Sequence, residues 1–277
     1  MPSAYRAPSG AANLRVVPSA AGAALASARP RARAGGHAYA LRVSAGLPPV
    51  SPPESEVELL ARARALAGRT LGAVAGEHGV SAPPDLRRAK GFVGTLVERA
   101  LGATAGSRAE PDFPALGVEC KTLPVDARGV PCESTFVCTI ALETMAGAEW
   151  EGSVVQRKLA KVLWVPVEGD RRLEVARRRL GEPLLWSPSS AEEAELRHDW
   201  EELSGLIGRG GVEQVRGELG RALQVRPKAA GSWSRRRALD AEGAFFATLP
   251  RGFYLRATFT ARVLQAHYHL PGAAGAR

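Results

Sequence analysis

A mixed α/β (α+β) fold, helices bracketing a central group of strands, is predicted for this chain by three observations. Helical apolar spacing is clear near residues 93–101. Short apolar runs of strand length crowd the middle of the chain, and a further helical segment closes it. The 277 residues are 45% hydrophobic and 23% charged, a globular mixture able to bury a sizeable core.

The elements follow in order. Residues 1–50 hold fifteen alanines, six prolines and six arginines, with no sustained periodicity, so a disordered tail is expected there and a folded domain over 51–277. Ser51-Pro52-Pro53-Glu54 reads as a capping box opening a helix through Val57, Leu59, Leu60 and Leu66, closed by Gly68. A short helix is expected over 70–79. Val93, Leu96, Val97, Ala100 and Leu101 form a buried helical stripe. Strands are expected over 118–123, 136–142, 162–167 and 184–186. Ser190-Ala191-Glu192-Glu193 then reads as a second capping box, starting an acidic helix to about Ile207. Strands over 223–225 and 253–255 lead to a last helix over 260–268.

The formal charge of +9 suggests a polyanionic partner, but its distribution matters. Residues 1–50 contain no acidic side chain, which leaves 31 basic and 28 acidic ones in 51–277. A nucleic-acid surface on the folded part must therefore be a local patch. In the tail the arginines fit a dispensable segment, a basic arm on DNA phosphates or a transit peptide. Three cysteines (Cys120, Cys132, Cys138) are too few for a disulfide framework or a Cys-x-x-Cys metal site, which points to a reducing, cytoplasmic setting. No apolar run is long enough to span a membrane.

The segment with most chemistry is Asp112-Phe113-Pro114-Ala115-Leu116-Gly117-Val118-Glu119-Cys120-Lys121. Pro114 and Gly117 suit a bend between extended pieces. On a strand, Glu119 and Lys121 share a face and Cys120 points to the core. If the bend brings Asp112 alongside, two carboxylates and an ammonium converge. Two carboxylates and a backbone carbonyl are hard ligands suited to Mg²⁺, and the lysine could orient a water or stabilise charge on a phosphate. An edge-strand trio of salt bridges would leave the same pattern. The chain's lysine usage favours the chemical reading: against 32 arginines there are only five lysines, Lys90, Lys121, Lys158, Lys161 and Lys228. Where generic positive charge has drifted to arginine, a surviving lysine marks a place that needs a compact point charge.

A set of ordered segments then carries a resemblance. Ser51-Pro52-Pro53-Glu54, Lys90-Gly91-Phe92-Val93-Gly94, Gly106-Ser107, Asp112-Phe113, Leu116-Gly117-Val118-Glu119, Lys121-Thr122, Thr135-Phe136-Val137-Cys138, the run from Val162 to Gly169, the run from Leu184 to Pro188, Arg226-Pro227-Lys228 and the run from Leu249 to Leu255 together resemble the MutH family of mismatch-repair endonucleases over residues 51–270. The resemblance implies a restriction-endonuclease-like fold, a mixed β-sheet flanked by helices with two lobes around a DNA cleft. It implies Mg²⁺ (with Mn²⁺ as substitute) at Asp112, Glu119 and the backbone carbonyl of Cys120, with Lys121 as catalytic lysine and Glu98 and Lys158 as further active-site residues. Arg226, Pro227 and Lys228 match the family's base-reading loop and Tyr254 its adenine-methylation sensor. The implied reaction is nicking of the unmethylated strand 5′ to G at hemimethylated or unmethylated GATC in duplex DNA, by a monomer activated by MutL and through it MutS. Cys120 stands where an aliphatic residue is usual, and 231–248 diverge most.

Each of these positions also has a plainer reading: a solvated helix residue for Glu98, a surface charge beside Arg157 and Lys161 for Lys158, a core aromatic for Tyr254. His267-x-His269 reads as surface chemistry. Glu192, Glu193, Glu195, Asp199, Glu201 and Glu202 read as a solvated face or a partner's docking surface. No Walker-type phosphate loop is present, so any ATP dependence belongs to a partner. The rival functions are a type II restriction endonuclease of the same fold, cutting both strands, and a non-catalytic DNA-binding module.

Overall fold

The structure, a computed structural model, describes residues 41, 48–106, 108–228 and 235–268. The expectation of a disordered tail thus falls almost wholly outside the described residues. Three helices come first, α1 (Glu56–Leu66), α2 (Leu71–Glu77) and α3 (Phe92–Leu101). Strands β1 (Glu119–Val125) and β2 (Thr135–Thr139), helix α4 (Val154–Leu159) and strands β3 (Val162–Glu168) and β4 (Leu184–Trp186) follow. Helix α5 (Ser190–Gly208), strands β5 (Leu223–Pro227), β6 (Arg236–Leu239), β7 (Phe245–Thr248) and β8 (Arg251–Leu255), and helix α6 (Ala257–Tyr268) complete the order. The result is the expected mixed α/β class, small sheets flanked by helices.

Strand β3 organises the interior. It pairs parallel with β1 and antiparallel with β4, and its first six residues are all buried. Side chains alternate across a strand. Leu163, Val165 and Val167 enter a core with Leu59, Leu71, Phe92 and Leu96 of the first three helices, while Val162 and Trp164 enter a second core with Trp186, Trp200, Phe253 and Phe259. A strand between two cores must be apolar on both faces, which is why it reads as a continuous hydrophobic run. The second core is roofed by the sheet β2-β8-β5, in which β8 lies centrally and antiparallel to both neighbours.

Local chemistry corrects several expected boundaries. The cap of α1 is Ser55, whose hydroxyl accepts from Glu58 N at 3.2 Å. Ser51-Pro52-Pro53 instead crosses the end of α3, where a Cβ on Gly102 would lie 2.4 Å from the Ser51 carbonyl. The capping box of α5 is Ser189 with Glu192, one residue earlier than expected. Strand β2 ends at Thr139 because its antiparallel partner β8 begins at Arg251, which Thr139 (opposite Gly252) has almost reached. Helix α6 starts at Ala257, three residues early, and β1 and β5 each run two residues further than expected. Helix α4 and the β6-β7 hairpin had no expectation at all. Asp199 does not belong to a solvated face: it is 1% exposed and its Oδ2 accepts the backbone N–H groups of Arg221, Ala222 and Leu223.

Candidate active site

The bend before β1 forms as its residues require. Phe113 and Val118 exchange backbone hydrogen bonds at 2.9 and 3.3 Å, and Gly117 takes the left-handed conformation (φ 64°) that closes the turn. This returns Asp112 to the start of β1, where its Oδ2 accepts from Cys120 N at 2.9 Å. Asp112 and Glu119 are both buried, and the Cys120 side chain is buried in the core with the first three helices. Burial pushes the Cys120 thiol well up, which keeps it neutral.

Glu119 holds two lysines, one on each carboxylate oxygen. Lys121 Nζ donates to Oε1 at 2.5 Å, and Lys158 Nζ donates to Oε2 at 2.7 Å and to the Glu110 carbonyl at 3.0 Å. Lys158 comes from α4, six residues whose N-cap is Ser153, and it is buried. Its surface-charge reading is therefore excluded. Burial opposes the Lys121 charge, but Glu119, Asp112 and Glu98 outweigh it and hold the ammonium firmly protonated.

Glu98, on α3, faces the same cluster. Burial, then the charge of Asp112, raises its carboxyl to about 7, with Glu119 adding and Lys121 and Lys158 opposing. It is not a solvated helix residue. Burial followed by Glu119 likewise raises Asp112. Three carboxylates around two ammonium groups leave an excess of negative charge, and this repulsion is what a bound cation would relieve. Among the described residues no three His, Cys, Asp or Glu side chains form a metal-holding group by themselves. Asp112 and Glu119 are hard oxygen donors of the kind Mg²⁺ takes.

The sheet β2-β8-β5 assembles the second half of the site. Register pairs Gln224 with Tyr254 and Arg226 with Gly252. The Arg226 guanidinium lies 5.7 Å from the Tyr254 ring centre and donates to Ser134 Oγ at 2.6 Å. Lys228 Nζ sits 3.6 Å from the Phe136 ring centre and bonds Thr139 Oγ1 at 3.2 Å, and Phe136 packs edge-on against Tyr254 at 5.3 Å. Tyr254 is thereby brought to Arg226 and Lys228, which stand 28 and 26 residues earlier in the chain. Arg226 and Pro227 end strand β5 and are not loop residues, and Tyr254 is half-buried, its phenol raised by burial. Burial lowers the Lys228 ammonium. Ser134 and Thr139 were not singled out from sequence, and Phe136 stood only within a segment that carries the resemblance, with no role assigned to it. His267 packs on Tyr268, and His269 lies outside the described residues.

A family model described as "DNA mismatch repair enzyme MutH" matches residues 101–199, which include Asp112, Glu119, Lys121 and Lys158. The DNA mismatch repair protein MutH of Klebsiella pneumoniae subsp. pneumoniae is 53% identical over 223 residues, 80% of this chain and 96% of that protein. That of Salmonella paratyphi C is 53% identical over 228 residues, 82% of this chain and 99% of that protein.

This chain belongs to the MutH family. Membership makes it a DNA mismatch repair protein of an endonuclease family, and so a protein that works on DNA. Among the described residues no helix is long and apolar enough to cross a membrane.

Proposed function

We propose that this MutH family member is a Mg²⁺-dependent endonuclease that nicks the unmethylated strand 5′ to G at hemimethylated or unmethylated GATC. The observation that supports this best is the convergence of Asp112, Glu119, Lys121 and Lys158 at the start of β1, with Glu98 of α3 beside them.

Asp112, Glu119 and the carbonyl of Cys120 would hold Mg²⁺ (or Mn²⁺), which when bound acidifies a water and neutralises charge on the scissile phosphate. Lys121, kept charged by Glu119, orients the attacking water or steadies charge on the phosphate oxygens. Lys158 fixes the second oxygen of Glu119 and so the orientation of that carboxylate. Glu98, near neutrality, is able to hold a proton beside the reacting centre at physiological pH. Arg226 and Lys228 reach guanine O6 and N7 in the major groove, Pro227 stiffens the strand end, and the Tyr254 ring edge meets adenine N6, where a methyl group would displace it. The protein acts as a cytoplasmic monomer with MutL as activator, which links it to MutS.

The test is incubation of unmethylated, hemimethylated and fully methylated GATC plasmids with Mg²⁺, with EDTA, and with or without MutL. Nicking confined to unmethylated strands and stopped by EDTA is the expected result. Cleavage of both strands regardless of methylation, or nicking undiminished in EDTA, would overturn the reading.

A further inference from the structure

The reading edge is carried by two strands, and one loop ties their far ends together. Residues 217–222 precede β5. From one side Asp199 of α5 enters this loop: its buried Oδ2 accepts from Arg221, Ala222 and Leu223 N at 2.8, 2.6 and 2.8 Å. From the other side Arg256, which follows β8 directly, donates through its guanidinium to the carbonyls of Gly217, Leu219 and Gly220 at 2.5, 2.9 and 2.9 Å. The Arg256 backbone N–H also donates to the Ala222 carbonyl at 2.8 Å. Gly220 takes φ +80°, and a Cβ there would stand 2.0 Å from the Leu223 carbonyl and 3.3 Å from Asp199 Cγ, so the loop closes this tightly only around glycine.

This geometry fixes a register. The chain leaves the loop at Leu223, opposite Leu255, and two residues later along each strand toward the site stand Val225 and Phe253. Slippage by one residue would send Arg226 to the other face of the sheet, away from the Tyr254 ring and Ser134. Strand pairing alone resists slippage weakly in a ladder of only five pairs. A carboxylate bonded to three consecutive N–H groups, with a guanidinium on three carbonyls of the same loop, adds charge-assisted restraints at its root.

We propose that Asp199 and Arg256 are positioning residues for DNA discrimination: without touching DNA, they lock the β5-β8 register on which the placement of Arg226, Lys228 and Tyr254 depends. The proposal rests on the assignment of those three residues as the base-reading and methyl-sensing edge.

The test uses the full chain with Asp199→Asn, Arg256→Gln and, as a control for stability alone, Val74→Ala in the core formed with the first three helices. Three quantities are read for each: Tm, hydrogen exchange of peptides covering residues 221–228 and 251–255, and the ratio of nicking at GATC to nicking at a site altered by one base pair. Asp199→Asn and Arg256→Gln should speed exchange in both peptides and lower the ratio on the order of tenfold, about what one well-placed base contact supplies. Val74→Ala should lower Tm and leave both unchanged. If the two variants lower Tm while exchange and ratio match the control, the lock is overturned. Should Asp199→Asn fail to fold, the half-buried Arg256→Gln decides alone. A wild-type ratio near one would defeat the base-reading assignment instead, and the exchange measurements would still support or overturn the lock.

Discussion

Among the described residues, Lys121 and Lys158 are each met by Glu119, whereas beside Tyr254 the cations Arg226 and Lys228 meet rings and hydroxyl groups. The first region is largely buried, with Lys121 and Glu98 partly open to solvent, and carries more carboxylates than ammonium groups. The second is half-open, and its positive charge is left for something outside the protein to neutralise. An ionic cluster that is complete, or one metal ion short of complete, is built to act on a bond. An unneutralised pair of cations framed by aromatic edges is built to receive a polyanion. Under the proposed function the two halves divide the labour of one reaction, and substitutions should separate them.

Asp112→Ala should have the largest effect. It removes a proposed metal ligand, so nicking should fall by on the order of 10³-fold, equivalent to several kcal/mol of lost charge stabilisation. DNA binding in the absence of metal should hold, because phosphate contacts come from other residues. Nicking near wild type would break the division at its centre.

Lys121→Arg keeps the charge and changes its shape. The planar head cannot occupy the position of an ammonium 2.5 Å from Glu119 without moving it, and a cost of about a hundredfold in single-turnover rate is expected. A rate equal to wild type would mean that Lys121 only balances charge.

On the other side, Lys228→Ala should cost roughly 1–3 kcal/mol at GATC and little in non-specific binding. Tyr254→Ser should make room for a methyl on adenine N6, narrowing the difference between unmethylated and fully methylated plasmids by roughly tenfold. An unchanged ratio would make Tyr254 a packing residue.

The smallest effect sharpens the account of the largely buried half. A carboxyl raised from 4.5 to about 7 in the folded state binds its proton more tightly there than in the unfolded chain. Its contribution is fully present below about pH 4.5 and is lost as pH rises through about 7. In metal-free buffer, Tm should therefore fall over that window, and Glu98→Gln should flatten the fall while lowering activity. An identical pH profile for both proteins would place Glu98 outside the cluster.

Much of this was legible in the sequence because it is local. The stripe from Val93 to Leu101, the uninterrupted run of β3 and the bend at Pro114 and Gly117 each follow from chain periodicity or backbone freedom within ten residues. The shared face of Glu119 and Lys121 follows from strand alternation, and the scarcity of lysine singled out Lys121 before any fold was known, while Lys158 and Lys228 were marked by the family resemblance. What the sequence left open depends on contacts between distant segments. Lys158 kept a second reading as a surface charge until α4, too short to show a helical period, carried it onto Glu119. Asp199 read as one of six acidic residues on a helix, because no local pattern reports which of them will meet three backbone N–H groups from residues 221–223. Ser51 lost its capping role to Ser55 because the end of α3 takes up the Ser51 segment. Sequence periodicity determines which face of an element is apolar; only packing determines which polar residues that face brings into contact, since a buried charge is tolerated only where partners from elsewhere in the chain are waiting for it.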